Sequence, residues 1–226
     1  MARHSQPEPE IFAPRLYLAT PVIDDPAAVA ALLPKILQSA DIAAVLLRLA
    51  PADDRTLIKR AKVIAPVAQE AGAAVLIEGH DAIVARAGAD GAHFGDVASA
   101  LAALPALKPD RIVGVAGLAT RHDAMTVGEA GVDYLMFGEP DAQNHRPSQD
   151  AIVERLEWWS EVFELPCVAY AANLDEVRAF TAAGADFILV GDMIWSDSRG
   201  PAVAVAEVGE TIGSTFKSVH EQNASR

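Results

Sequence analysis

GADGAHFG at residues 88–95, GVDYLMFG at 131–138 and GADFILVG at 184–191 are three copies of one pattern, Gly-(Ala/Val)-Asp-x-x-x-x-Gly. In each copy a helical stretch runs up to the first glycine, a residue that leaves a helix with positive φ at no steric cost. An Asp-led apolar run follows, of a length that suits a buried strand, and the second glycine ends it. Weaker versions lie at 71–79 (AGAAVLIEG) and at 39–48 (SADIAAVLLR, without the glycine). Helix followed by buried strand, repeated along a chain, predicts a parallel α/β protein.

Working outward, eight strands are predicted: Arg15–Thr20, Ile42–Leu49, Ala73–Glu78, Gly91–Phe94, Arg111–Ala116, Tyr134–Gly138, Pro166–Ala171 and Phe187–Val190. Most are continuous apolar runs, as expected of strands covered on both faces. Between them, Pro26–Gln38 and Asp54–Ala71 carry apolar residues at helical spacing, as does Ser148–Phe163. Asn173 with Glu176 three residues on resembles a capping box opening a helix over Leu174–Ala183, and a last helix is predicted over Gly200–Phe216. Eight strands with helices between them and no linker predict a single-domain (β/α)8 TIM barrel. An open doubly wound sheet would announce itself with a glycine-rich first turn, and Thr20-Pro21-Val22-Ile23 has none.

The 226 residues fit one large barrel or two small domains, and at 51% hydrophobic they supply a sizeable core. The expected organisation is a loose arm over residues 1–14, a barrel over 15–213 and a tail over 214–226 that frays. The polar, Pro-rich start does not read as a signal peptide, and no run is long and apolar enough for a membrane span. The cytoplasm is the expected compartment. Cys167, alone of its kind and inside an apolar run, reads as a small buried hydrophobe. A net charge of −13 argues against nucleic acid and anionic membranes as partners. Of the adjacent Trp158 and Trp159 only one can face the core, which leaves the other for a contact between copies of the chain, a homo-oligomer.

In a barrel the ligand meets the C-terminal strand ends and the loops beyond them. Arg48 ends the second strand inside an apolar run, where a charge needs a partner: an ion pair with Glu78 or a bound anion. Glu78, His80 and Asp81 follow the third strand, and His93 and Asp96 lie on and after the fourth. Such carboxylates and imidazoles serve as acid–base groups or metal ligands, although their spacing matches no closed metal motif. Glu78, His80 and His93 are the catalytic candidates and Asp96 the metal candidate; Asp81 has an alternative role as a helix cap and His93 as a hydrogen-bonded core residue. Arg48, Asn173 and Asp192 are the substrate-binding candidates. Asp192 would repel phosphate unless turned away, and Ala171-Ala172-Asn173 lacks glycines for close backbone approach. His122, His145 and Arg146 read as solvated loop residues, and Glu139 is a further residue at the mouth.

From Arg15 to Ile194 the chain resembles the thiamine phosphate synthase family, which includes thiazole tautomerases. The likeness rests on LYLAT, GADGAHFG, IVGVA, DYLMFG and the run PCVAYAANLDEVRAFTAAGADFILVGDMI. The resemblance implies a (β/α)8 barrel, a small phosphorylated heterocycle as ligand, and a Mg²⁺-assisted reaction that joins a pyrimidine methyl diphosphate to a thiazole phosphate. The motif positions depart from it. Gln-x-Arg-x-Lys becomes Leu46, Arg48, Ala50; Asn-Asp becomes Glu78-Gly79; the second metal aspartate becomes Ala98; and a serine becomes Ala116. DAQNHRP at 141–147 replaces Thr-Pro-Thr-Lys, Ala171-Ala172 replaces Gly-Gly, and the tautomerase histidine position near Gly117-Leu118 is not histidine. Three readings follow: a family member with weak or altered chemistry, a non-catalytic ligand-binding or regulatory barrel, and an isomerase or epimerase acting on a phosphorylated sugar.

Overall fold

The computed structural model describes residues 12–141, 143 and 145–224. Its eight strands are β1 Arg15–Ala19, β2 Ile42–Leu47, β3 Ala74–Glu78, β4 Gly91–Phe94, β5 Ile112–Val115, β6 Tyr134–Phe137, β7 Cys167–Tyr170 and β8 Phe187–Val190. All pair in parallel, in sequence order, and β8 closes on β1. The (β/α)8 barrel read from the sequence is the fold. The helices are α1 Pro26–Leu37, α2 Asp54–Glu70, α3 Val84–Ala87, α4 Val97–Leu107, α5 Arg121–Ala130, α6 Gln149–Val162, α7 Leu174–Ala182, α8 Asp192–Trp195 and α9 Pro201–Ala224. None of them is long and apolar enough to cross a membrane.

The repeated glycine-aspartate pattern has a structural meaning beyond marking a turn. Gly88, Gly131 and Gly184 have φ of 74°, 93° and 85°, which lets each helix end in the left-handed region. The aspartate two residues on then grips the start of the preceding strand with both its backbone and its side chain. Asp90 Oδ2 accepts from the Val75 N–H at 2.7 Å while the Asp90 N–H donates to the Val75 carbonyl at 2.8 Å. Asp133 does the same to Val113, at 2.7 and 2.8 Å. Asp186 does it to Cys167, at 2.8 and 3.0 Å. The repeat therefore laces β3 to β4, β5 to β6 and β7 to β8 at the N-terminal end of the barrel.

One apolar cluster fills the space between sheet and helices, with Trp159, Phe180, Leu33 and Ile64 among its largest buried members. A second fills the barrel lumen and includes Tyr17, Leu46, Leu76, Met136, Val168 and Leu189. Trp159 is the core-facing tryptophan, and Trp158 packs at its edge under Arg121, 4.8 Å from guanidinium carbon to ring centre. Cys167 is fully buried, and burial pushes its thiol pKa up, as expected of an inert core cysteine.

Several expectations need correction. The last helix does not end at Phe216: α9 continues to Ala224, through the segment expected as the tail. Phe216 and His220, one helical turn apart, touch with ring centres 4.1 Å apart and planes tilted by 58°, and α9 lies along α7 and α1. Of the arm over residues 1–14, residues 1–11 lie outside the described residues, and Pro14 is buried. His80, not Asp81, precedes the 3₁₀ turn Asp81–Ile83 that leads into α3.

Candidate active site at the barrel mouth

Strand alternation and parallel register bring the polar side chains together. Glu78 on β3 pairs with His93 on β4, His93 with Gly114 on β5, and Gly114 with Tyr134 on β6. Arg48 follows β2, and Glu139 lies two residues past the end of β6. Gly114 is required where it stands, because a Cβ there would come 1.9 Å from the Tyr134 ring.

The Arg48 guanidinium lies between two carboxylates. Its Nη2 donates to Glu139 Oε1 at 3.1 Å, and its Nε is 3.4 Å from Glu78 Oε1. The second contact is an ion pair without hydrogen-bond geometry, so the buried Nε–H has no acceptor of its own. The other oxygen of Glu139 meets His93 Nε2 at 3.3 Å. On the far side of the ring, His93 Nδ1 is 2.9 Å from the Tyr134 hydroxyl, which is 3.0 Å from the Tyr17 hydroxyl. A continuous polar chain thus runs Glu78–Arg48–Glu139–His93–Tyr134–Tyr17, from the mouth into an otherwise apolar lumen.

Burial pushes the Glu139 carboxyl up, but the His93 hydrogen bond and the charges of His93 and Arg48 outweigh it, and the group ends below the ordinary carboxylate range. Burial dominates at Glu78 and raises it despite Arg48. The guanidinium is desolvated too, yet the two carboxylates hold its pKa above the usual value. Burial raises Tyr17 and Tyr134, so both stay protonated. An ionised Glu139 can only accept, which assigns a proton to His93 Nε2. On the other side of the ring Nδ1 and the Tyr134 hydroxyl share a hydrogen bond, and the Tyr134 and Tyr17 hydroxyls share the next. The arrangement places a carboxylate–imidazole pair beside the Arg48 cation.

A second, part-buried cluster lies beyond the ends of β6 and β7. Arg146 was expected to be solvated, but it is held from every side. Nε donates to the Gly138 carbonyl at 2.8 Å, Nη2 to the Tyr170 carbonyl at 2.9 Å, and Nη1 to both oxygens of Glu176, at 3.0 and 2.9 Å. It also lies over the Tyr170 ring, 5.3 Å from its centre. Arg146 and Glu139 share a cleft of about 400 Å³ with Leu118, Met136, Phe137 and Arg155.

Of the residues singled out from sequence, Arg48, Glu78 and His93 converge. Asp96 does not join them: it is exposed and caps α4, accepting from the Ser99 N–H at 2.9 Å and from its hydroxyl at 2.7 Å. Asn173 caps α7, its Oδ1 accepting from the Glu176 N–H at 2.9 Å. Asp192 opens α8 at the surface, and His80 is partly exposed before the 3₁₀ turn. The structure adds Tyr134, Tyr17, Arg146 and Glu176, and gives Glu139, which the sequence places at the mouth, its partners Arg48 and His93. The signal for Glu139 was its place just beyond a strand-ending glycine; for Tyr17 it was a hydroxyl in a strand otherwise apolar.

Over residues 16–194 the chain matches the family model described as thiamine monophosphate synthase. It is 38% identical over 197 residues to the thiamine-phosphate synthase of Rhodospirillum centenum, covering 85% of this chain and 95% of that one. It is 35% identical over 213 residues to the thiamine-phosphate synthase of Hyphomonas neptunium, covering 91% and 95%. Among solved structures, the thiamine phosphate pyrophosphorylase of Pyrococcus furiosus superposes with a TM-score of 0.73 at 20% identity, over 89% of this chain and 96% of that one. This barrel, with Arg48, Glu78 and His93 at its mouth, belongs to the thiamine monophosphate synthase family.

Proposed function

We propose that this chain is a thiamine phosphate synthase-like protein of altered chemistry. Its mouth takes a small phosphorylated heterocycle with the anionic group at Arg48, and the His93–Glu139 pair moves protons there. The observation that carries this reading is the position of Arg48 between Glu78 and Glu139. A reaction that expels diphosphate develops several negative charges, and a site that accelerates it must offer cations or a metal at the departing group. The Arg48 guanidinium is already shared by two carboxylates, and Arg146, in the cleft beside Glu139, is committed to Glu176 and two backbone carbonyls.

The residues present do not fit the Mg²⁺ ion that the family resemblance implies. Among the described residues no group of three or more His, Cys, Asp or Glu side chains is placed to hold a metal. Glu78 and Glu139 are both engaged by Arg48, and the Asp96 carboxylate is committed to Ser99. No step of this reading passes through a metal.

The test is a direct assay with pyrimidine methyl diphosphate, thiazole phosphate and added Mg²⁺, alongside the Rhodospirillum centenum relative. Losing several charge-stabilising contacts from one transition state costs on the order of several kcal/mol, so turnover should be slower by orders of magnitude. Equal turnover overturns the proposal. Ligand binding is tested by titrating thiazole phosphate into the wild type and Arg48→Gln; equal affinity of the two removes Arg48 from the binding role.

A further inference from the structure

Loops after the seventh and eighth strands of such barrels commonly hold a ligand's phosphate on backbone N–H groups. In this chain the turn after β7 already holds an anion, and it is the chain's own. Glu176 is the third residue of α7, and its side chain folds back past the cap to accept from the Ala172 N–H at 2.8 Å. The reciprocal partner of a capping box would be the N–H of Asn173; the carboxylate has reached one residue further. The same carboxylate takes both contacts from Arg146 Nη1, and Glu176 is only 8% exposed. The remaining donors of Arg146 that face the protein are satisfied by the Gly138 and Tyr170 carbonyls, so the guanidinium is fixed in place with or without Glu176.

A rigid guanidinium, an outward amide and a helix N-terminus converging on one point form a donor set suited to a phosphate or a carboxylate. An ordinary structural ion pair needs neither the amide nor the helix start. We infer that Glu176 is a built-in occupant of an anion subsite, so that the mouth engages one anionic group of a ligand rather than two. The clause about the remaining group rests on the reading of Arg48 above; the closure of the β7–α7 subsite does not. Glu176 is thereby a specificity-determining residue: it excludes ligands that carry an anion at each end and admits those with a single phosphate.

The experiment uses the full chain and inorganic phosphate. Glu176→Ala opens the subsite and leaves Arg146 without its carboxylate. Its melting temperature should fall, and added phosphate should restore it progressively, while chloride at equal ionic strength should not. Phosphate affinity should exceed that of the wild type by on the order of tenfold or more. Glu176→Gln, which fills the space with a neutral acceptor for Ala172, should fold and show no such gain. If Glu176→Ala does not fold unaided, refolding from urea with and without phosphate gives the same reading. Phosphate rescue of either kind supports the inference. Absence of rescue, or wild-type protein binding phosphate as tightly as Glu176→Ala, overturns it. The Arg48→Gln titration described above retains Glu176, so the two readings fail independently.

Discussion

The His93 and Tyr134 rings lie almost parallel, 5° between planes and 5.7 Å between centres, with Nδ1 and the hydroxyl oxygen 2.9 Å apart. Both side chains are buried, and the space Tyr134 needs exists because residue 114 has no Cβ. The imidazole is thereby anchored from below by phenols and from above by Glu139. A ring held at both nitrogens keeps its orientation as protons come and go, which an acid–base group requires.

Tyr134→Phe should cost about 1–3 kcal/mol, because His93 Nδ1 and the Tyr17 hydroxyl both lose their buried partner. Tyr17→Phe should cost less, since Tyr134 retains its bond to His93. Urea unfolding of the two single variants and the double variant measures this. The double variant should be less destabilised than the sum of the singles, and simple additivity would show that the hydroxyls do not act as a chain.

Gly114→Ala should destabilise by about 1–3 kcal/mol or more through overpacking, because Tyr134 must leave its position. The expected signature in an imidazole nitrogen NMR spectrum is a change at His93 Nδ1. An unchanged spectrum together with unchanged stability would place Tyr134 elsewhere.

Arg48→Ala should cost about 3–5 kcal/mol, as it strips the buried Glu139 of its main cation. Arg48→Ala/Glu139→Gln should recover much of that loss, because no uncompensated carboxylate remains beside His93. Thermal and chemical unfolding check both, and a double variant no more stable than Arg48→Ala would assign the loss to packing.

The two carboxyls predict opposite pH slopes. Glu139 is lowered in the folded protein, so its contribution is present above the unfolded carboxyl value of about 4.3 and is lost as pH falls through the folded value. Glu78 is raised, so its contribution is present below that unfolded value and is lost as pH rises through the folded one. Melting temperatures from about pH 3 to about pH 7 should show Glu139→Gln flattening the acid limb and Glu78→Gln flattening the limb above it. The same profile in both variants would contradict these assignments.

The barrel was legible because its strands are continuous apolar runs punctuated by glycine, and each of the eight appears where the sequence places it. Two helices were harder to read. In α4, VASALAALPAL is apolar on nearly every face and shows no polar stripe; in α5 the buried residues are Ala124 and Val127 alone. The Thr120–Asp123 capping box that opens α5 is the local signal for its start. At the site, the Arg48–Glu78 pair could be anticipated because β2 and β3 are neighbours. Its hydrogen-bonded partner, Glu139, arrives from β6, four strands away around the closed sheet, and no local spacing encodes that meeting. Asp96, a metal candidate from the sequence, caps α4 instead, and of the two roles the sequence offers Asn173 the structure shows the helix cap; the same residue types serve both roles.

The aspartate clamps of the glycine repeat have a consequence for how this lineage can change. They tie strands together at the end of the barrel remote from Arg48, through bonds that involve no residue of the mouth. Substitutions among the ligand-facing loops therefore leave the architecture's fastenings untouched. A chain built this way can drift far in what it recognises while its ancestry stays readable in three short glycine-aspartate phrases.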